Sequence, residues 1–321
     1  MKTVLVTGAT GFVGRSLCEA LGAQSLNVVA LTRDMSKATP SENVVFRVAS
    51  DLHAEDALGL ALSGVDYVVH LAARVHVMNE TAADPAAEFR RTNVDGTTKL
   101  ASLSAAAGVK RFIYMSSIKV LGERTVDRPF EHDDPPLPSD PYSVSKHEAE
   151  IAVQSIGNAT GMEVVILRPP MIYGAGVGGN MRRLMALVSS GIPLPFGAIR
   201  NMRTMIALPN LCDVISLSLS HPEAAGRSFL VADDKSLSTP ELVTAIADSM
   251  SKPARLVSVP VPMLDWVGRL TGRRAEVRRL CESLEIDASH TKRRLGWRPR
   301  MSPVEAVKLA VDDYLKMKNA F

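Results

Sequence analysis

Cysteine is scarce in this chain. Cys18, Cys212 and Cys281 are odd in number and far apart, a usage that excludes a disulfide scaffold and fits the reduced, structural thiols of a cytosolic protein. No zinc-type spacing of cysteine and histidine occurs, so no metal site is expected. Long apolar runs are lacking too. Met1 and Lys2 lead only into the short stretch Thr3–Thr7 before glycines begin, which reads against a secretory signal, and no later stretch has the length of a membrane span. The cytoplasm is the expected location. Nor is there much charge of one sign: 37 basic and 34 acidic side chains leave +3 over 321 residues, too little to argue for a nucleic-acid partner. The basic run Lys292-Arg293-Arg294 lacks interleaved aromatics and reads as solvated surface.

What is present suits a folded protein: 46% hydrophobic and 22% charged residues, enough for one large or two modest domains with a sizeable core. Short β-branched runs recur at Thr3–Thr7, Asn27–Thr32, Val44–Val48, Val65–Leu71, Arg111–Ser116 and Glu163–Arg168, each followed by a turn and a helical pattern. Strands alternating with helices predict right-handed crossovers and a doubly wound parallel α/β sheet, the Rossmann architecture. The strands are apolar at successive positions, as expected when helices cover both faces. After Arg168 the rhythm breaks at Pro169-Pro170 and the glycine-rich stretch Gly174–Gly179. A boundary near 170 is therefore expected, with a dinucleotide-binding domain over 1–170 and a smaller mixed α/β substrate domain over 171–321, some of whose segments return to the first. Pro129–Pro141 carries five prolines, too many missing donors for anything but a loop.

Two groups of residues carry chemistry. Gly8, Gly11 and Gly14, in Thr7-Gly8-Ala9-Thr10-Gly11-Phe12-Val13-Gly14, follow the first strand and open the first helix. Glycines there permit a tight turn and a close backbone approach, so a pyrophosphate can rest on the helix N-terminus; alone, they are equally punctuation between strand and helix. Further on, Asp140 is a good N-cap and Pro141 a good first helical residue, which puts Tyr142 and Lys146 one turn apart on one helical face. An ammonium beside a phenol is expected to lower the phenol's pKa from its usual value of about 10 and make it a usable general acid/base.

The glycine spacing, Tyr142-Ser143-Val144-Ser145-Lys146 and Ser116-Ser117 together resemble the extended short-chain dehydrogenase/reductase family over essentially the whole chain. Asp51-Leu52, Leu71-Ala72-Ala73, Asn93, Arg168-Pro169 and Tyr173-Gly174 agree with it. The resemblance implies a catalytic set of Ser117, Tyr142 and Lys146, with Ser117 hydrogen-bonding the substrate oxygen that Tyr142 protonates or deprotonates. It implies a nicotinamide dinucleotide held by the loop of Gly8, Thr10, Gly11, Phe12, Val13 and Gly14, and by Asp51, Leu52 and Leu71 to Ala73. Asn93, Ser116 near the nicotinamide, Tyr142, Lys146 and Pro169 complete that set. Leu121 stands where the family commonly has tyrosine. At the end of the second strand, where an acidic residue usually selects NAD, this chain has Thr32 and Arg33. Threonine does not repel a 2′-phosphate and arginine binds one, which favours NADP(H); Asp34, after a register slip, would restore NAD(H).

The resemblance further implies a UDP-sugar substrate and a homodimer formed through the Tyr142 and Asn93 helices. Asn180, Pro195 and Phe196 in Leu194-Pro195-Phe196-Gly197, Arg203 and Arg279 are the expected nucleotide contacts, with Arg74 and His76 near the sugar. Arg279 lies in an arginine-rich run that reads otherwise as a solvated face, and His70, within an apolar strand, reads as a core histidine. Met181, Met185, Met202 and Met205 read as packing. Within the family the chain looks most like bacterial reductases acting on the C4 keto group of UDP-4-keto-6-deoxy-N-acetylhexosamines in surface-polysaccharide synthesis. The alternatives are a UDP-hexose 4-epimerase with retained NAD and, remotely, a non-catalytic NADP-sensing regulator. Ile118-Lys119 stand where dehydratases of the family carry an acidic pair, which disfavours elimination.

Overall fold

A computed structural model describes residues 1–39, 41–75 and 84–319. The chain begins β1 (Thr3–Thr7), α1 (Phe12–Gly22), β2 (Asn27–Thr32), β3 (Val44–Val48), α2 (Glu55–Leu62), β4 (Tyr67–His70), α3 (Pro85–Arg90), α4 (Gly96–Ala106) and β5 (Arg111–Met115). It continues with α5 (Pro141–Thr160), β6 (Glu163–Arg168), β7 (Met171–Tyr173), α6 (Gly179–Ser190), β8 (Met205–Ala207), α7 (Leu208–Ser218) and β9 (Arg227–Leu230). Five helices complete it: α8 (Thr239–Ser249), α9 (Val261–Leu270), α10 (Arg274–Cys281), α11 (Ser289–Leu295) and α12 (Pro303–Asn319).

Seven strands form one sheet in the order β3-β2-β1-β4-β5-β6-β9, every neighbouring pair parallel. This is the doubly wound sheet that the alternating pattern predicts. One crossover departs from the pattern: between β2 and β3 the described residues hold a single 3-10 turn, Met35–Lys37, capped by Asp34, where a helix is expected. The link between the two strands is at the short limit for a parallel crossover with a helix in it. β7 and β8, three residues each, pair in a separate two-stranded sheet.

Two apolar clusters cover the faces of the large sheet. One holds Val4, Val6, Leu17, Ile113 and Leu167 with Leu211, Ile215 and Trp297; the other holds Leu5, Leu62, Val68, Phe112, Tyr114 and Ile166 with Ala149 and Val153 of α5. A third, from Tyr173 through Met181, Met185 and Met205 to Ile246 and Tyr314, is the core beneath α6, α8 and α12. Met181, Met185 and Met205 pack in it, as expected, while Met202 is half-buried outside the clusters. Residues after 200 contribute to the large sheet: β9 joins it beside β6, and α7 supplies one face's core. A buried polar knot ties the parts together: Asp233 accepts from the Tyr173 hydroxyl (2.8 Å), Asn210 Nδ2 (2.7 Å) and the Ala207 amide.

The strand order reverses between β1 and β4, where doubly wound sheets open a crevice at the strands' C-terminal ends. His70 lies there fully buried. Thr7 Oγ1 accepts from the amides of Leu71 and Ala72 (3.2 and 3.1 Å), so its own proton goes to His70 Nδ1, 2.7 Å away. Nε2 then carries the ring proton and donates to Thr97 Oγ1 at 2.9 Å, leaving the ring neutral. Burial, with the Lys146 charge, holds its pKa down at about 3. Between that value and the unfolded 6.5 the unfolded chain binds the extra proton, so stability falls as pH falls. We expect about 2 kcal/mol less stability at pH 5 than at pH 7 from this residue. Urea unfolding of wild type and His70→Gln at the two pH values checks it: the variant's pH slope must be the shallower.

Candidate active site

β1 ends at Thr7 and the chain turns at Gly8, whose φ of +67° is left-handed. A Cβ at Gly8 would lie 2.9 Å from the Ala72 amide nitrogen, and one at Gly14 would lie 2.2 Å from the Gly8 carbonyl. Both positions therefore require glycine. Gly11 donates to the Gly8 carbonyl at 2.9 Å and caps α1 without a side-chain bond. The first turn of α1 thus presents backbone N–H groups and the positive end of the helix dipole at the crevice. Arg15 holds the Thr10 carbonyl at 3.0 Å. Phe12 packs against two of the apolar clusters at once, joining this loop to the part of the molecule beneath α6.

At the end of β2, Thr32 is buried, and its hydroxyl donates to the Asp34 carbonyl and accepts from the Asp34 amide (3.0 and 3.1 Å). The Asp34 carboxylate faces the next turn, accepting from the Ser36 amide and hydroxyl (3.0 and 2.7 Å). Arg33 is exposed between them. Asp51 accepts from the His53 amide at 2.8 Å, and Leu52 packs against Gly96, where a Cβ would lie 2.9 Å from it. The buried Asn93 sits in a π-helical turn, Arg91–Asp95, between α3 and α4. Its amide clasps Arg74 on both backbone sides (2.8 and 3.0 Å) and donates to Ser145 Oγ at 2.9 Å. Asn93 therefore bolts the loop after β4 to α5.

Ser117, Tyr142 and Lys146, the expected catalytic set, lie near the ends of β5 and β6. Asp140 and Ser143 form a capping box at the start of α5, and Lys119 forms an ion pair with Asp140. Ser117 caps a short 3-10 turn and its hydroxyl is hydrogen-bonded to the Tyr142 phenol. The Ile118 amide donates to the Pro169 carbonyl at 2.9 Å, which seats β6's end beside Ser117. Lys146 is buried, donates to the Met115 carbonyl at 2.7 Å and lies 4.7 Å from the centre of the Tyr114 ring. Ser116 Oγ is buried with no hydrogen-bond partner among the described residues. Phe89 packs edge-on against Tyr142 at 6.1 Å, and the Arg74 guanidinium lies 5.5 Å from the Phe89 ring centre.

Electrostatics here differ from the expectation of a lowered phenol pKa. Burial pushes Tyr142 up to about 12, with the Asp140 carboxylate adding to the rise and the Ser117 hydrogen bond opposing it. Burial likewise pulls Lys146 down to about 7, against the attraction of Glu150. Desolvation outweighs the neighbouring charge at both groups. Tyr142 therefore holds its proton at neutral pH and is ready to donate it.

The sequence profile of the NAD dependent epimerase/dehydratase family matches residues 4–232. The chain belongs to that family. It is 41% identical over 322 aligned residues to a UDP-glucose 4-epimerase of Vibrio cholerae, covering 99% of this chain and 97% of that protein. It is 28% identical to an N-acetyl-alpha-D-glucosaminyl-diphospho-ditrans,octacis-undecaprenol 4-epimerase of Escherichia coli O157:H7, covering 89% and 87%. The fold matches a UDP-glucuronic acid 4-epimerase from Bacillus cereus with a TM-score of 0.80 at 20% identity, over 98% of this chain and 99% of that one. The protein is thus an enzyme of the epimerase/dehydratase family.

The substrate-side candidates of this epimerase/dehydratase member are more scattered. Asn180 is exposed in the first turn of α6. Pro195 and the buried Phe196 lie in a segment whose ends pair with Arg255 and Val257. Arg203 and Arg279 are brought together: Arg203 Nη1 donates to the carbonyls of Arg279 and Glu282 (both 3.1 Å), capping α10's C-terminal end, while the Arg279 side chain is exposed. His76 lies outside the described residues. Two features went unread in the sequence. Asn201, buried, holds the Leu280 and Glu282 carbonyls (3.1 and 3.2 Å), and Glu150 forms a two-bond ion pair with Arg168 (2.9 and 2.6 Å). Glu150, one turn beyond Lys146 on α5, was in reach of the same spacing argument.

Proposed function

We propose that this enzyme carries out oxidoreduction at C4 of a UDP-sugar with a nicotinamide dinucleotide, and that Ser117, Tyr142 and Lys146 are its catalytic residues. The observation that carries the reading is the hydrogen-bonded Ser117–Tyr142 pair, one helical turn from buried Lys146 and next in the chain to the buried Ser116 hydroxyl, which has no partner among the described residues. The residues fit a dinucleotide: the glycine loop is a cradle that a Cβ would fill, and Ser116 is a buried polar atom needing a partner. Gly8 to Gly14 would hold the pyrophosphate, Thr32 and Arg33 the adenosine ribose, and Ser116 and Lys146 the nicotinamide half. A bound nicotinamide supplies reversible hydride transfer. Tyr142 moves the proton of the C4 oxygen, Ser117 orients that oxygen by hydrogen bonding, and Lys146 positions the ribose side beside them.

Within this reading, 4-epimerisation of a UDP-hexose is supported by the similarity to the Vibrio UDP-glucose 4-epimerase. Reduction of a 4-keto sugar is supported by the β2 end. Thr32 bonds to the Asp34 backbone, and the Asp34 carboxylate turns to Ser36 and Lys37, which leaves Arg33 as the cation at this end without an ion pair among the described residues. That arrangement suits the 2′-phosphate of a dissociable NADPH. The deciding experiment offers the enzyme UDP-glucose without added cofactor and, separately, a UDP-4-keto-6-deoxy-N-acetylhexosamine with NADPH or NADH. UDP-galactose from the first establishes the epimerase; stoichiometric consumption of reduced nicotinamide in the second establishes the reductase. Inactivity in both overturns C4 chemistry on UDP-sugars. Arg33→Asp is expected to weaken NADPH use by about tenfold or more relative to NADH, since it replaces a charge-assisted bond with repulsion.

A further inference from the structure

α9 turns an apolar stripe outward. Met263, Trp266, Val267 and Leu270 follow the i, i+3, i+4, i+7 spacing of one helical face, yet are 56%, 60%, 42% and 68% exposed. The opposite face is the one that packs: Val261 and Leu264 lie against the cluster beneath α6 and α8. Gly268 is buried where α10 crosses α9, and a Cβ there would lie 2.9 Å from Val277. α10 thus covers α9's flank and leaves the stripe open.

The same segment is also basic. Residues 261–281 contain five arginines and only Asp265 and Glu276 as acids, an excess equal to the whole chain's formal +3. Basic and acidic residues therefore balance over the remainder. Asp265 is occupied by Arg269 and Arg274, and Arg273 and Arg279 are exposed and without a salt bridge among the described residues. An amphipathic helix with a tryptophan on its apolar face and arginines about it has the composition of an interfacial membrane element. A protein partner accounts for the stripe as well, but the exposed, unbridged Arg273 and Arg279 on the adjoining helix complement an anionic bilayer.

We propose that α9 and α10 form a docking element that binds the enzyme peripherally to an anionic lipid surface, with the α9 stripe in the headgroup region and the arginines on lipid phosphates. The element is rigidly joined to the candidate substrate segment, because Arg203 and Asn201 hold the last carbonyls of α10. Docking would hold that side of the enzyme at the headgroups. The proposal is independent of which C4 reaction is catalysed.

The test uses the full-length protein with vesicles of phosphatidylcholine mixed with phosphatidylglycerol, against vesicles of phosphatidylcholine alone. The chain has two tryptophans, and Trp297 is buried with its indole N–H on Asp213 at 2.9 Å, so a lipid-induced change in emission reports Trp266. The expected result is co-sedimentation with the anionic vesicles, weakened by salt, with a blue shift of emission. Trp266→Ser with Leu270→Ser abolishes binding without changing the circular-dichroism melt. Arg273→Gln weakens it by about fivefold. Protein that stays in the supernatant with both vesicle types overturns the proposal. So does a blue shift that appears without lipid as protein concentration rises, which would assign the stripe to a contact between copies of the chain.

Discussion

Replacing Tyr142 by phenylalanine lowers turnover by about 10²–10⁴-fold, the usual contribution of a positioned general acid/base, while the fold stays intact. The hydroxyl is the only group lost. The ring keeps its edge-on packing against Phe89, and the lost hydrogen bond to Ser117 costs about 1 kcal/mol. Because burial holds the phenol's pKa at about 12, the wild-type enzyme keeps this proton well above neutral pH. The alkaline limb of its rate profile therefore does not come from Tyr142 below that range, whereas Lys146, pulled to about 7, titrates near neutrality. Steady-state rates of wild type and Tyr142→Phe across pH, with melting temperatures alongside, check both statements. A variant within tenfold of wild type removes Tyr142 from the acid/base role.

The second large effect is on stability. Glu150→Gln leaves the Arg168 guanidinium buried with no carboxylate against it, a loss of about 3–5 kcal/mol. Arg168 and Glu150 are 8% and 4% exposed and share two hydrogen bonds, so water does not replace the missing partner. Removing both charges is far milder, since a buried pair replaced by apolar groups of similar volume is often neutral; Glu150→Leu with Arg168→Met is expected to recover most of the loss. Urea unfolding of the single and double variants measures this, and equal losses in the two would refute it. The pair also reaches the site. The Glu150 charge supports the Lys146 ammonium, so the single variant is expected to shift the near-neutral step of the rate profile to lower pH, which a purely structural role would not do.

Much of this was legible in one dimension. The six strands expected in the first half appear within two residues of their predicted ends, because a parallel sheet covered on both faces demands short, continuously apolar runs, and such runs stand out between polar turns. Gly8 and Gly14 were legible because their need is local: no other residue fits a left-handed turn pressed against its own backbone and the neighbouring loop. The one-turn spacing of Tyr142 and Lys146 followed from Asp140 and Pro141, since capping chemistry sets where a helix begins.

What sequence did not reveal depends on groups far apart in the chain. Whether Tyr142 is lifted or lowered in pKa is settled by desolvation against neighbouring charge, and desolvation is a property of packing that spacing does not contain. A π turn places the Asn93 side chain on Arg74 and Ser145, contacts between segments that local spacing does not contain. The meeting of Arg203 with the end of α10, and the solvent-facing stripe of α9, likewise rest on long-range packing. The sequence by itself determined the sheet, its glycine loop and the reactive helix, because each follows from bonds and sterics within a few residues. Only the tertiary structure decided which polar groups are dry, which charges face one another and which apolar face is left uncovered, because burial exists only once distant segments have closed on each other.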